Sequence, residues 1–361
     1  MSKILFEPYD RMNLKNRVVM APMTRSRATA DHIPTPLMAE YYGQRSGAGL
    51  IITEGTAPSP NGAGYPRIPG IYTPEQMEAW KPIPEAVHKN GAKIFLQLMH
   101  TGRISHPGNM PEGSRVLAPS AIVAQTTKMY VDGKGEQPLP TPSAMTGEDI
   151  RNTIAEYVQA SEWAVEAGFD GVELHAANGY LIEQFLNPGS NQRTDAYGGS
   201  PANRNRFALE VAEAVCSAIG GDRTGIRLSP NGVFNDLSGF DGQHEQFDVL
   251  AWNMDTLGLT YLHLVNHEAM GAAPLPDEIR RSIRDRFTGT LILSGGYDAE
   301  KAERHLSAGF GNLVAFGRPF IANPDLVARM KHGEPLNDPD FDTFYTPGAK
   351  GYTDYPKLQK A

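Results

Sequence analysis

Among the residues that could do chemistry, His175 and Asn178 stand three positions apart in the segment HAANGYLIEQFLNPGSNQRTDAYGGS. At this spacing two side-chain N–H groups can reach one oxygen atom from a single turn. Such donors stabilise negative charge that develops on the oxygen during a reaction. Tyr180 follows two residues later, and its phenol, with an ordinary pKa of about 10, stays protonated at neutral pH. Tyr180 is therefore either a general acid or an aromatic residue that packs at a helix start.

A second cluster, His263, His267 and Glu268 in YLHLVNHEAM, suggests a metal site because its two imidazoles are four residues apart. That spacing suits a helix, whereas this run is typical of a strand. The two histidines would lie on either side of the strand end, so they would not share one ion. We therefore expect no metal.

The elements that must position these residues are short apolar runs, rich in Val, Ile and Leu, that end in polar residues or glycine. The eight runs are residues 17–23, 50–55, 93–99, 171–176, 225–230, 261–266, 291–296 and 313–318. Continuous apolarity indicates strands buried on both faces, as in parallel sheets. Between the runs lie segments with helical spacing, the clearest being residues 146–168, where Thr146 and Asp149 resemble a capping box.

Eight alternations of strand and helix predict a closed (β/α)8 TIM barrel, which we expect to form a single domain over residues 1–361. Residues 101–143, after the third strand, are crowded with Gly, Pro and Ser and too long for an ordinary connection. We expect them to form a capping insertion.

Barrel enzymes carry their chemistry at the C-terminal ends of the strands. Here those ends are unusually polar for residues that would merely be solvated: Thr24, Glu54, Gln97, His100, His175, Asn178, Arg227, Asn266, Gly295, Gly296, Gly317 and Arg318. Taken together, they predict one site at that end of the barrel.

The overall composition excludes several classes of protein. The formal net charge of −8 comes without a basic cluster, so nucleic acid is not an expected partner. The N-terminal residues lack a signal-peptide pattern and no apolar run is long enough to span a membrane, so we expect a cytoplasmic protein. Cys216, the only cysteine, reads as a small apolar residue on a helix.

Motifs spread over the chain resemble the old yellow enzyme family of FMN-dependent ene-reductases. Besides the segment that begins at His175, they are APMTR, FLQLMHTGRISHP, GIRLSP, AFGRPFIANPDL and the GYTDYP tail. The resemblance implies a TIM barrel that binds FMN non-covalently. It also implies that NADPH or NADH reduces the flavin in the same open pocket and leaves before the oxidant binds, which gives ping-pong kinetics.

The resemblance assigns the cofactor-binding residues. The flavin phosphate would meet the loops that hold Gly295, Gly296, Gly317 and Arg318. Arg227 would stabilise negative charge on the reduced flavin. The remaining contacts would come from Gln97 and Thr24 at the pyrimidine edge and from the main chain of Pro22, Met23 and Ala57.

In the substrate pocket, the resemblance implies that His175 and Asn178 hold the oxygen of an enone or a nitro group and that Tyr180 protonates the α-carbon. Further residues at the pocket wall would be Tyr65, Met99, Asn235 and Tyr345. Met99 and Asn235 depart from the pattern, since many relatives carry tryptophan at the first position and some carry glutamine at the second. We expect a roomier pocket with the same class of reaction.

The expected partners are small-molecule enones, maleimides or nitro compounds, and the chain would be a monomer or a dimer. Two other functions stay open from the sequence. One is a flavin-binding barrel without this turnover, and the other is a metal-dependent barrel hydrolase, for which the strand ends offer few ligands.

Overall fold

The computed structural model describes residues 3–268 and 271–358. The strands are β1 Val18–Met20, β2 Leu50–Ile52, β3 Lys93–Leu98, β4 Leu117–Ala118, β5 Lys128–Val131, β6 Gly135–Pro138, β7 Ser143–Ala144, β8 Gly171–Ala176, β9 Thr224–Leu228, β10 Tyr261–Val265, β11 Thr290–Ser294 and β12 Leu313–Phe316. The helices are α1 Pro36–Gln44, α2 Pro74–Trp80, α3 Pro82–His88, α4 Gly147–Glu166, α5 Leu181–Leu186, α6 Pro201–Ile219, α7 Gln243–Thr256, α8 Asp277–Arg286, α9 Ala299–Ser307, α10 Arg318–Ala322 and α11 Leu326–His332.

Eight of these strands close a parallel barrel in the order β1, β2, β3, β8, β9, β10, β11 and β12, and β12 bonds back to β1. The predicted (β/α)8 barrel is confirmed. Most strands end before the apolar run that predicted them; β1, for example, stops at Met20. The next residues, Ala21 to Met23, leave the sheet and line the barrel mouth. Apolarity alone does not distinguish a strand residue from such a buried loop residue.

Four helices, α2, α4, α6 and α9, begin at a residue whose side chain accepts from a free N–H group of the first turn. In α4, the hydroxyl oxygen of Thr146 accepts from the N–H of Asp149 at 3.1 Å, and the Asp149 carboxylate accepts from the N–H of Thr146 at 2.8 Å. This is the capping box that the sequence predicted. Within the described ranges, no helix combines the length and the apolar character that crossing a bilayer requires.

The segment after β3 forms two small sheets outside the barrel, one from β4 with β7 and one from β5 with β6. Arg103 connects it to the loop after β9 by donating to the carbonyls of Asn235 at 3.1 Å and Asp236 at 3.0 Å. The N–H of Thr126 donates to the Asp236 carboxylate at 2.8 Å. The segment is thus held against a loop at the same end of the barrel as the polar strand ends.

Two aromatic rings in the barrel interior face glycines on neighbouring strands. The rings of Phe95 and Tyr261 lie 5.4 Å apart. Gly225 pairs with Tyr261 in the sheet register, and a Cβ atom on Gly225 would overlap the Tyr261 ring. Glycine is therefore required at residue 225 by close packing, because interiors of this density have no room for an added carbon.

We predict that Gly225→Ala destabilises the barrel by about 1–3 kcal/mol, since the extra methyl group must displace the buried ring of Tyr261. Chemical denaturation with both variants measures the effect. Gly147→Ala is the matched control, because Gly147 is the first residue of α4 and an added Cβ there meets nothing closer than 3.6 Å. Equal stability of the two variants would contradict this account of the interior.

Candidate active site

A cavity of about 460 Å³ opens at the C-terminal end of the barrel, where the loops after the barrel strands meet. The predicted site residues that line it are Pro22, Met23, Thr24, Gln97, Met99, His175, Asn178, Tyr180, Arg227, Gly295, Gly296, Gly317, Arg318 and Tyr345. Another cavity, of about 510 Å³, lies beside His32 and Arg67 and contains none of the predicted residues. The strand-end cavity is therefore the candidate active site.

His175, at the end of β8, presents a hydrogen-bond donor to this cavity. Its Nδ1 accepts from the N–H of Ala177 at 3.3 Å. Burial, and then the nearby Arg227, hold the pKa of His175 well below its usual range, so the ring is neutral at neutral pH. A neutral ring whose Nδ1 accepts carries its proton on Nε2. His175 thus offers an N–H donor.

Asn178 is held by its main chain in the turn after β8, where its φ of 58° lies in the left-handed region that asparagine tolerates. Its N–H donates to the Ser229 hydroxyl oxygen at 3.1 Å, and its carbonyl accepts from Asn235 Nδ2 at 2.8 Å. Its side-chain Oδ1 is 2.8 Å from Nε2 of His267. The amide nitrogen of Asn178 is left as the group that the cavity can use.

Glu183, near the start of α5, holds this turn in place through two hydrogen bonds. Its carboxylate accepts from the N–H of Gly179 at 2.6 Å and from the Ser229 hydroxyl at 2.5 Å. Burial raises the pKa of Glu183 to about 7, although both hydrogen bonds favour the charged form. Ser229 therefore connects a buried carboxyl group to the main chain of Asn178.

The hydroxyl of Tyr180 lies 3.1 Å from the hydroxyl of Tyr65. The rings of Tyr180 and His175 meet edge to face, with centroids 4.9 Å apart. Burial raises the pKa of Tyr180 above its usual value, so its phenol keeps the proton at neutral pH. A protonated phenol and a neutral imidazole are thus adjacent in one cavity.

A buried cation, Arg227, lines the cavity, and a buried carboxylate, Glu173, lies in the barrel interior. Arg227 is almost fully buried, and its Nε has no hydrogen-bond partner in the described part of the chain. Glu173 has no exposed surface; its carboxylate accepts from Gln97 Nε2 at 2.7 Å and lies 2.9 Å from Nδ1 of His263. A buried guanidinium with an unused donor fits an electron-rich edge of a planar cofactor such as the flavin ring.

The loops after β11 and β12 form the outer side of the cavity. Gly295 has a φ of 107°, and a Cβ atom there would overlap the carbonyl oxygen of Asn266. Gly296 also has a positive φ, of 65°. Arg318, the first residue of α10, is exposed and lines the same wall as Gly317. Main-chain N–H groups at these glycines, beside the exposed guanidinium of Arg318, suit a phosphate group.

Five predicted residues do not line the cavity. Of the strand-end residues, Glu54 accepts from the N–H of Arg25 and His100 accepts from the N–H of Gly102. Tyr65 and Asn235 contact it indirectly, through Tyr180 and the carbonyl of Asn178. Ala57 is buried, and its N–H donates to the carbonyl of Pro69 at 2.9 Å. Its remaining contact with a cofactor would be van der Waals packing.

Two arginines that the sequence did not indicate hold the C-terminal segment around Phe344 over the cavity. Arg27 donates to the carbonyls of Thr343 at 2.8 Å and Phe344 at 2.7 Å. Arg25 Nε also donates to the Phe344 carbonyl, at 3.1 Å. The segment contributes Phe344 and Tyr345 to the cavity wall. The motif APMTRSR contains a signal, two arginines in the loop after β1, but nothing in it indicates partners more than 300 residues away.

The histidines of the second cluster take separate partners. His263 bonds to Glu173 inside the barrel, and His267 bonds to Asn178 at the cavity. Over residues 3–268 and 271–358, no three His, Cys, Asp or Glu side chains are grouped so that they could hold a metal ion.

Comparison with known proteins matches residues 4–337 to the NADH:flavin oxidoreductase / NADH oxidase family. Among curated relatives, chanoclavine-I aldehyde reductase fgaOx3 of Penicillium roqueforti is 45% identical over 99% of this chain and 98% of its own length. A probable flavin mononucleotide-dependent alkene reductase of Leishmania infantum is 42% identical over 95% of this chain and 94% of its own.

Among solved structures, morphinone reductase superposes with a TM-score of 0.95 at 45% identity, covering 99% of this chain and 97% of the other. It has also been solved in complex with tetrahydroNAD. The old yellow enzyme homologue of Zymomonas mobilis gives a TM-score of 0.93 at 40% identity, covering 98% and 99% of the two chains. The full length of the barrel is shared with these flavoenzymes, and the chain belongs to the NADH:flavin oxidoreductase / NADH oxidase family as an old yellow enzyme homologue, an FMN-dependent alkene reductase.

Proposed function

We propose that this enzyme reduces the activated C=C bond of α,β-unsaturated carbonyl compounds, such as cyclic enones and maleimides, and also accepts nitro compounds. The observation that carries the proposal is the convergence of three groups on one cavity: Nε2 of His175, the amide nitrogen of Asn178 and the phenol of Tyr180. Two donors suit an oxygen on which charge develops, and the phenol suits a carbon that must be protonated.

When bound, FMN supplies the two-electron chemistry, because it accepts a hydride from NADPH or NADH and passes a hydride to the β-carbon of the enone. His175 and Asn178 hold the carbonyl oxygen and stabilise the enolate charge. Tyr180 gives its proton to the α-carbon. The balance is one enone, one NAD(P)H and one proton to one saturated carbonyl compound and one NAD(P)⁺.

We propose the cofactor contacts that the family resemblance implies, and all of these residues except Ala57 line the cavity. Gly295, Gly296, Gly317 and Arg318 would hold the phosphate, and Arg227 would face the pyrimidine end of the ring. The amide nitrogen of Gln97 donates a hydrogen bond to Glu173, and its amide oxygen would accept one from the flavin ring. The other contacts would come from Thr24, Pro22, Met23 and the packed Ala57.

The nicotinamide and the oxidant would use the same cavity in turn, which gives ping-pong kinetics. The complex of morphinone reductase with tetrahydroNAD supports a nicotinamide as the reductant. We propose that residues 101–143 cap this cavity within a single domain. The substrate pocket would include Met99, Tyr65, Asn235 and Tyr345. The cytoplasmic location and the monomeric or dimeric state stay predictions.

We predict that the purified protein carries one FMN that acid denaturation releases completely into the supernatant. Covalent attachment is not expected, because Cys216, the only cysteine of the chain, lies on α6 and does not line the cavity. Chromatography of the supernatant identifies the flavin. Flavin retained by the precipitate, or release of FAD, would count against the assigned cofactor site.

We predict that 4-chlorophenol binds over the oxidised flavin and produces a long-wavelength charge-transfer band, since the two donors would stabilise a phenolate oxygen as they do an enolate. Replacing both His175 and Asn178 by alanine should abolish the band. The matched control replaces His244 and Asn253, the same residue types on α7 away from the cavity, and should leave the band intact. A band of full intensity in the first double variant would show that the oxyanion site is wrongly assigned.

We predict that Tyr180→Phe separates the two half-reactions. Loss of a positioned general acid lowers a rate by about a hundred- to ten-thousandfold. In stopped-flow experiments, reoxidation of the flavin by cyclohexenone should fall by about that factor, whereas its reduction by NADPH should stay within a few fold of wild type. A nitro acceptor should be less impaired, because its reduction does not require protonation of an α-carbon.

Tyr65→Phe is the matched control for this experiment, because it removes the hydroxyl that bonds to Tyr180 and leaves the acid in place. It should retain most of the cyclohexenone rate. Equal losses in both half-reactions of Tyr180→Phe would mean that Tyr180 shapes the pocket and does not deliver the proton.

A further inference from the structure

We infer that His267 is a positioning residue that fixes the side chain of Asn178 with its amide nitrogen toward the substrate, so that this position selects ligands with an acceptor oxygen. The inference rests on the proposed function, because it specifies how one of the two oxyanion donors is oriented. His267 follows β10 and is buried at the cavity wall.

The ring of His267 has a defined tautomer. Its Nδ1 accepts from the main-chain N–H of Val233 at 3.3 Å. Burial, and then the charge of Arg227, lower the pKa of His267 to about 4, so the ring is neutral at neutral pH. A neutral imidazole with an accepting Nδ1 carries its proton on Nε2.

This tautomer determines which end of the Asn178 amide faces the ring. Nε2 of His267 lies 2.8 Å from Oδ1 of Asn178, and it donates to that oxygen. Rotating the amide by half a turn would bring its NH₂ group against Nε2–H. Two donors would then face each other and the hydrogen bond would be lost. The NH₂ group is therefore held on the other side, toward the cavity.

The main chain of Asn178 leaves few alternatives to this arrangement. Its N–H is bonded to Ser229 and its carbonyl to Asn235, so the side-chain amide is the part that remains free to rotate. Among the described residues, His267 is the one hydrogen-bond partner of that amide. An amide without such a partner presents its oxygen or its nitrogen to a ligand, and only the nitrogen can donate to an oxyanion.

The first test is a titration of the holoenzyme with 4-chlorophenol in His267→Leu and His267→Gln. His267→Leu removes the donor, and the dissociation constant should rise about tenfold, the effect of losing one well-placed hydrogen bond. His267→Gln keeps an N–H that can donate to Oδ1 and should stay within about threefold of wild type. His244→Leu, the same substitution on the exposed face of α7, is the control and should change nothing.

A double-mutant cycle with Asn178→Ala shows whether the effect passes through Asn178. In the Asn178→Ala background, His267→Leu should change the dissociation constant by less than about twofold. An equal loss in both backgrounds, or no loss in His267→Leu alone, would overturn the inference while the proposed function stands. Flavin content and melting temperature identify any variant that is misfolded. If His267→Leu is misfolded, the dissociation constant of His267→Gln decides whether the inference stands.

Imidazole ¹⁵N chemical shifts of the resting holoenzyme at pH 7 test the inference without any ligand. A His267 ring protonated on Nε2 supports it, and a ring protonated on Nδ1 overturns it. If 4-chlorophenol does not bind to the wild-type enzyme, the proposed oxyanion site fails, and the tautomer alone decides whether His267 orients Asn178.

Discussion

The carboxylate of Glu173 lies inside the barrel with no solvent access, and the polar side chains around it share it as their hydrogen-bond partner. A buried carboxylate is costly unless partners compensate for the water it has lost. Gln97 and His263 supply direct contacts. Burial lowers the pKa of the Arg227 guanidinium, and the nearby Glu173 carboxylate opposes part of that effect. The cavity can therefore hold a cationic group at its inner end in a protein with a net negative charge.

The donors at the substrate end are oriented in a different way, by main-chain N–H groups. The N–H of Ala177 occupies Nδ1 of His175, and the N–H of Val233 occupies Nδ1 of His267. Both rings then carry their proton on the other nitrogen. Because a main-chain N–H keeps its proton, Nε2 of each ring stays a hydrogen-bond donor over the pH range in which both rings are neutral.

Much of the fold and part of the site could be predicted from the sequence, because the eight apolar runs alternate with helical segments and the barrel brings the ends of the runs together. His175 and Arg227 illustrate this, since they are register partners on β8 and β9. The orientation of a side chain could not be predicted. His267 was interpreted only as half of a possible metal pair, since no sequence pattern shows that its partners are Val233 and Asn178.

The contacts that hold the C-terminal segment over the cavity could not be predicted from the sequence for another reason. Arg25 and Arg27 are charged residues after a strand, which usually indicates exposure, but here they are buried. Most of their hydrogen-bond partners in the segment are carbonyl oxygens, which every residue possesses, so residue type does not mark these bonds. The resemblance of the GYTDYP tail to relatives indicated that the segment matters without indicating how it is held.

Because the C-terminal segment is held through its carbonyl oxygens, a side chain of the segment that lines the pocket can change without loss of these bonds. The carbonyl of Tyr345 accepts from Arg67 at 2.9 Å, whereas its side chain is 62% exposed at the cavity mouth. Replacing that side chain leaves the acceptor of this anchoring bond in place. With the substrate-pocket role proposed for Tyr345, selection for new substrates can therefore act on this position at little cost in stability.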